Sequence, residues 1–405
     1  MDQLFSRGIQ LYNLNRYPEA IKVFNESLSL NPNDFYSKFY LALCYYYIDD
    51  FITFEKISSS IITDFPDNDE SYYLLMLVSL SKKNYQNALN HITKAIQFNP
   101  YEADYFGYKA IIQINLKLFN EALASSNEGL NIDAKNKFCL NTRTQSLTKL
   151  KQKEEAFSTL KNTLSDNPED YFTQANAGWT KLELGNYSEA NDHFKEALKI
   201  NPNDDYAREG MIESLKAKNI IYRYFLKYAF WIQNKGDKFK WGLIIGIYLI
   251  YRFSSSVIEN LGFTFLLPVL AFLYLAFVLG SWLITPISNA ILLFDSYGKN
   301  LLKRNDLNSG SAFLIIFLTA IIASILNISF NNNHYFSLIS VSSFCSLIPI
   351  TIGIQNEIKF YKSLAFWYGF FIFILGFINL ITPISIFVPI IMLAVFTWGY
   401  NFKKE

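Results

Sequence analysis

MDQLFSRGIQLYNLNRYPEAIKVFNESLSLNPND, from Met1 to Asp34, is the stretch that decides the fold, because its pattern recurs through the first half of the chain. Proline returns at Pro32, Pro66, Pro100, Pro168 and Pro202, always 34 residues or twice 34 apart, with Ala134 on the missing beat. In the same frame stand Ala20, Ala88, Ala122, Ala156 and Ala190, and the aromatics Tyr17, Phe51, Tyr85, Phe119 and Tyr187. Gly8 and Gly178 hold matching places in the first and last copies. A strict period of this size predicts stacked helical hairpins, six in number. Leu4, Gly8 and Leu11 fall on one helical face, and Ala20, Phe24 and Ser27 on the next. Apolar residues three and four apart form a stripe that must be buried. Ala20 lets two helices approach and Phe24 fills the space beside it. Pro32 ends the second helix, since it has no N–H and keeps the preceding residue out of the α conformation. Asp34 is placed to cap the next helix.

The combination of a small residue, an aromatic and a proline, as in Ala20–Phe24–Pro32 and Ala190–Phe194–Pro202, resembles the tetratricopeptide repeat over roughly residues 1–218. The resemblance implies an all-α, right-handed solenoid that binds other proteins. Ala88–Ile92–Pro100 is close to the pattern. Phe54 stands where a small residue is expected, so the second hairpin is expected to splay or shift, and Arg143, Thr144 and Lys153 make the fifth copy the weakest. The amphipathic stretch Asp205 to Lys218 suits a terminal capping helix.

Residues 219–405 are a different material. Up to residue 218 there are 23 Lys+Arg and 29 Asp+Glu, a net of −6, whereas the remainder holds 13 and 6, a net of +7. An acidic repeat domain lacks the clustered positive charge that nucleic acid requires. Apolar runs near 262–286, 312–330, 336–354, 364–380 and 382–400 contain no Asp, Glu, Lys or Arg, and a weaker one near 239–258 contains Arg252. A helix needs about 20 such residues to cross a bilayer. Lys299, Lys303, Arg304, Lys359, Lys362, Lys403 and Lys404 fall in alternate connections, while Ser254 to Leu261, Asn331 to Tyr335 and Asn379 to Pro383 carry no Lys or Arg. That alternation predicts a six-helix transmembrane domain over 239–405 with both termini cytoplasmic. No cleavable signal is expected, since Met1 to Leu11 already belongs to a repeat. Between the halves, 219–238 reads as a basic, aromatic helix at the membrane surface, with Arg223, Lys227, Trp231, Lys235 and Lys238, and Lys240 just beyond it, meeting anionic lipid. Arg252 lies about 16 Å along its helix from Trp241. A charge at that depth is a candidate functional group with Glu259 as partner, although snorkelling to the headgroups explains it more simply.

Catalytic patterns do not emerge. Cys44, Cys139 and Cys345 share no ligand spacing with one another or with His91, His193 and His334, and no phosphate-binding loop occurs. The sequence therefore leads to a protein that is not an enzyme and takes no cofactor or metal. The function expected is a membrane-anchored adaptor. A regulatory repeat domain on a transporter-like or membrane-protein-assembly module is the alternative. The partners expected are a protein or peptide, membrane lipid and, in that alternative, other membrane proteins. The binding surface expected is an apolar groove on repeats one to three, made of Phe5, Ile9, Tyr12, Phe39, Leu43, Tyr46, Tyr47, Tyr73 and Leu77. Such a groove excludes a Lys/Arg/Asn clamp for a C-terminal carboxylate. The fifth repeat is polar on the same side, with Asn141, Gln145 and Lys149.

Overall fold

A computed structural model describes residues 2–401 apart from 167, 236, 331, 332, 357, 358 and 379–383. The expected connection Asn379 to Pro383 lies outside the described residues, as do Asn331 and Asn332 of the other. The ordered elements among those described are helices, and the chain divides into two compact units, Met1–Ala207 and Arg208–Glu405.

The first unit is a run of antiparallel hairpins: α1 (Asp2–Asn13) with α2 (Tyr17–Leu30), α3 (Phe35–Tyr47) with α4 (Phe51–Asp64), and α5 (Asp69–Ser81) with α6 (Tyr85–Phe98). There follow α7 (Ala103–Asn115) with α8 (Phe119–Ile132), α9 (Lys137–Lys149) with α10 (Lys153–Asp166), and α11 (Tyr171–Glu183) with α12 (Tyr187–Ile200). Each turn inside a hairpin closes on one residue in the left-handed region: Asn15, Asp49, Lys83, Lys117, Lys151 and Gly185. These lie 34 residues apart, so the period governs the backbone as well as the side chains. Five of the six are not glycine, and each is held by the same two backbone bonds, as where Asn15 N–H donates to the Tyr12 carbonyl and Arg16 N–H to the Leu11 carbonyl, both at 2.9 Å, in a conformation that costs an L-residue roughly 1–2 kcal/mol. Asp34 accepts from the Ser37 backbone N–H at 3.0 Å, the cap that its position predicts.

The core follows the register of the pattern. Phe24 and Phe194 are fully buried, and a Cβ on Gly8 or Gly178 would come within 2.5 or 2.6 Å of their rings. Glycine at that position makes room for the phenylalanine opposite. The second repeat solves the same problem differently. Phe54 is fully buried where the other copies carry alanine, and Ser58 stands where Phe24 and Phe194 stand. Bulk has moved one helical turn back; α3 and α4 keep 13 and 14 residues, as α5 and α6 do, but they pack on each other less extensively, in line with the expected shift of this hairpin. The fifth repeat buries Asn141, Thr142, Thr144, Ser146 and Thr148. Thr144, Ser146 and Thr148 donate to the carbonyls of Leu140, Thr142 and Thr144, the local bond that satisfies a hydroxyl inside a helix.

α13 (Asp205–Lys216) crosses the boundary between the units, and the second unit continues with α14 (Ile220–Gln233), α15 (Asp237–Asn260), a short 3-10 turn at Thr264–Leu266, and α16 (Leu267–Leu292). α17 (Ser296–Leu301), α18 (Arg304–Ser329), α19 (His334–Gln355), α20 (Lys359–Ile378) and α21 (Phe387–Asn401) complete it. α19 is central, packed by α16, α18, α20 and α21. It buries Ser340, Ser342, Ser343, Ser346 and Thr351, whereas α18 turns Ile315, Leu318, Ile322 and Ile325 outward. Apolar residues outside and hydroxyls inside invert the usual soluble pattern. Among the described residues, α18 and α19 are long and apolar enough to cross a membrane.

Candidate functional site

In the first unit the N-terminal ends of α7, α9 and α11 surround an open cavity of about 630 Å³. Capping residues sit at its rim. Asn136 accepts from Cys139 N–H and Asp170 from Thr173 N–H, each at 2.9 Å, which satisfies donors that a helix start leaves free. Rings of Tyr108, Phe138, Tyr171 and Phe172 form apolar wall. Asp104, Asp133, Asp170, Lys135, Lys137, Asn136 and Asn141 supply the polar wall.

The polar groups form a chain of hydrogen bonds through Asp170 and a separate pair at Asp104. Lys137 Nζ pairs with Asp170 at 3.0 Å, and Thr173 Oγ1 donates to Asp170 at 2.7 Å. Asn141 Nδ2 donates to Thr173 Oγ1 at 3.1 Å. Asn136 Nδ2 donates to Asp104 at 2.7 Å. Burial alone pushes Asp170 up, but the two Thr173 donors and Lys137 outweigh it and hold the carboxyl below its ordinary value. Asn141 is 1% exposed, and its Oδ1 has no hydrogen-bond partner among the described residues. On α11, buried Asn176 accepts from Gln145 and from the Tyr206 hydroxyl, while its Nδ2 lacks a partner. Lys149 pairs with Glu183 at 2.7 Å. Burial pushes the Tyr108 hydroxyl up to about 12, and it shares a 3.1 Å hydrogen bond with Tyr73. Among the described residues no group of three or more His, Cys, Asp and Glu could hold a metal ion.

The residues expected to form an apolar groove are divided by the structure. Phe39, Leu43 and Leu77 are buried in the core. Phe5, Ile9, Tyr12, Tyr46 and Tyr73 are half-buried, and Tyr47 is 51% exposed. Their rings mainly meet one another: Tyr12 lies 5.9 Å from Tyr47, Tyr46 lies 5.2 Å from Phe54, and Phe39 lies 6.4 Å from Tyr73. Asn141 occupies in α9 the register position of Phe5, Phe39 and Tyr73. The one signal for the cavity in the sequence was that polar substitution. Asp104, Asn136 and Asp170 went unseen because each also reads as an ordinary residue of a helix start.

In the second unit, α14 buries Tyr222 and Leu226 and exposes Tyr224, Lys227 and Trp231. Arg223 donates to the Ala217 carbonyl at 2.6 Å, and Lys235 stands 5.8 Å above the Trp231 ring. The side chains of Lys238 and Lys240 lie outside the described residues. Arg252 and Glu259 are both exposed on α15 and form no ion pair with each other.

The tetratricopeptide repeat family matches residues 2–34 and 172–204, so these hairpins are tetratricopeptide repeats. A human protein, protein O-mannosyl-transferase TMTC1, is 22% identical over 204 residues, 50% of this chain and 20% of that protein. The chain thus spans about a fifth of the length of this curated relative. The expectation that the chain is not an enzyme is corrected by it, since the relative bears the name of a transferase. Among solved structures, a tetratricopeptide repeat protein from Parabacteroides merdae is 15% identical with a TM-score of 0.46, covering 52% of this chain and 83% of that one. TTC0263 from Thermus thermophilus is 18% identical with a TM-score of 0.36, covering 53% and 98%.

Proposed function

From a solenoid of tetratricopeptide repeats, we propose that the chain is a membrane-anchored adaptor that holds a segment of a partner protein in the cavity on α7, α9 and α11. The observation that supports this most is Asn141, a buried amide in the cavity wall with an unpaired acceptor. A group of that kind is costly unless something supplies a donor. The aromatic surface of repeats one to three offers less. Phe39, Leu43 and Leu77 have little area left to bury, so Tyr47 and the half-buried Tyr12, Tyr46 and Tyr73 would form only an apolar continuation of the site. A photoreactive residue at Phe138 in the membrane-embedded full chain should crosslink to protein. One at Lys161, exposed on α10, should not. Equal crosslinking from both positions defeats the reading. The name of the human relative favours a second reading, in which the held protein accepts a sugar. Mannose found on the crosslinked protein only when the chain is present separates that role from an adaptor.

The anchor we propose is six spans, with α15, α16, α20 and α21 joining α18 and α19. The outward apolar face of α18 and the hydroxyl-lined centre of α19 support it, as does the alternation of Lys and Arg between connections. α14 would then lie at the cytoplasmic surface, with Lys227, Trp231 and Lys235 towards lipid headgroups. A cysteine placed near 332 should react with an impermeant reagent added outside, and one near 303 should not. The opposite pattern reverses the topology and removes the solenoid from the cytoplasm.

A further inference from the structure

The cavity on α7, α9 and α11 has a chemical bias of its own. Three carboxylates line it, Asp104, Asp133 and Asp170, against two ammonium groups, Lys135 and Lys137. Lys137 is already committed to Asp170 at 3.0 Å. The unpaired buried group is also an acceptor. Thr173 spends its hydroxyl proton on Asp170, so it can only accept from Asn141, and this turns the Asn141 amide nitrogen towards Thr173. The oxygen, Asn141 Oδ1, is therefore the atom left without a partner. Tyr108 and Phe138 pack edge to face at 4.8 Å in the same wall, and ring faces attract cations. Lysine and arginine side chains carry several donors and no acceptor, which matches an excess of carboxylates, an orphan carbonyl and aromatic faces.

We propose that this cavity takes a lysine or arginine side chain of the bound protein segment, which makes it opposite in polarity to a clamp for a carboxylate. The proposal rests on the reading of the cavity as a protein-binding site, and its test separates the two. The probes are three fluorescein-labelled twelve-residue peptides on one Leu/Ser/Gly frame, carrying two Arg, two Gln or two Glu. Binding to the purified full chain in detergent is followed by fluorescence anisotropy. The Arg peptide should bind about tenfold or more tighter than the Glu peptide, since each reversed charge acts on the net negative wall at short range. Changing Asp104→Asn and Asp133→Asn together should remove most of that preference. Lys135→Gln should strengthen binding of the Arg peptide by a few fold, by removing the exposed like charge, and a folding defect cannot produce such a gain. Equal binding of all three peptides, or tighter binding of the Glu peptide, overturns the cationic pocket and leaves a protein-binding site. Failure of every peptide to bind overturns the site and the pocket together.

Discussion

Phe54→Ala should cost the solenoid about 3–5 kcal/mol, the usual penalty for emptying a fully enclosed phenylalanine site. Phe54 is 0% exposed, with the Tyr46 ring 5.2 Å away. Each repeat leans on its neighbours, so the loss should appear as faster amide exchange across α3 to α6 in the full chain rather than in α4 alone. The register supplies a rescue. Repeats one and six place alanine at the position of Phe54 and phenylalanine at that of Ser58. Adding Ser58→Phe should therefore recover part of the loss. It should not recover all of it, because position 42 is alanine where those repeats have Gly8 and Gly178, whose added Cβ would strike the ring. The triple change Phe54→Ala, Ser58→Phe and Ala42→Gly should restore protection beyond the double. A triple variant no better protected than Phe54→Ala would show that bulk is not exchanged between these positions.

This exchange shows what reading one position at a time leaves out. Phe54 breaks the pattern in its own column, and α3 does pack on α4 less extensively than the paired helices of repeats three, four and six pack on each other. The compensating Ser58 lies four residues away, and volume in a core is conserved over neighbours rather than position by position. The turn residues hid for a related reason. A left-handed backbone is recognised in sequence by glycine, and Asn15, Asp49, Lys83, Lys117 and Lys151 carry it without one. The hairpins themselves were legible because proline, alanine and aromatic residues share one period.

The candidate site was half legible. The inward side of each first helix follows from the register, and so does its change from aromatic to polar at Asn141. Which residues on that side stay open does not follow. Phe39, Leu43 and Leu77 share a face with Tyr47, yet packing of adjacent first helices closes over the first three and leaves the last at 51% exposure. In the cavity, Asp104 at the start of α7 meets Asn136, the cap of α9, at 2.7 Å. The pair opens and closes one copy of the pattern, 32 residues apart, and only the stacking of α9 beside α7 brings the two together.

The second large effect is expected where α19 and α20 pack. A Cβ added at Gly376 would lie 2.9 Å from Ile339 Cα and 3.1 Å from Ser342 Cβ, and one at Gly369 would lie 2.7 Å from the Ile350 backbone nitrogen. Gly353 meets the backbone of Phe366 in the same way from the other helix. These neighbours are main chain or atoms next to it, so no side-chain rotation can relieve the clash, and the helices must separate. Separation would strip contacts from α19, which buries Leu338, Leu347 and Ile350 and holds the bundle together. Gly376→Val should thus cost about 3 kcal/mol or more, at or above the upper end of ordinary overpacking. Small residues let helices approach closely enough for dispersion contacts between their main chains. Gly246→Val on α15 is the matched control, because nothing lies within 4 Å of its added Cβ. After brief heating in detergent, the full chain carrying Gly376→Val should lose its monodisperse fraction at a temperature well below that of the parent, with Gly246→Val unchanged. If both variants survive equally, the close approach of α19 and α20 does not hold the second unit together.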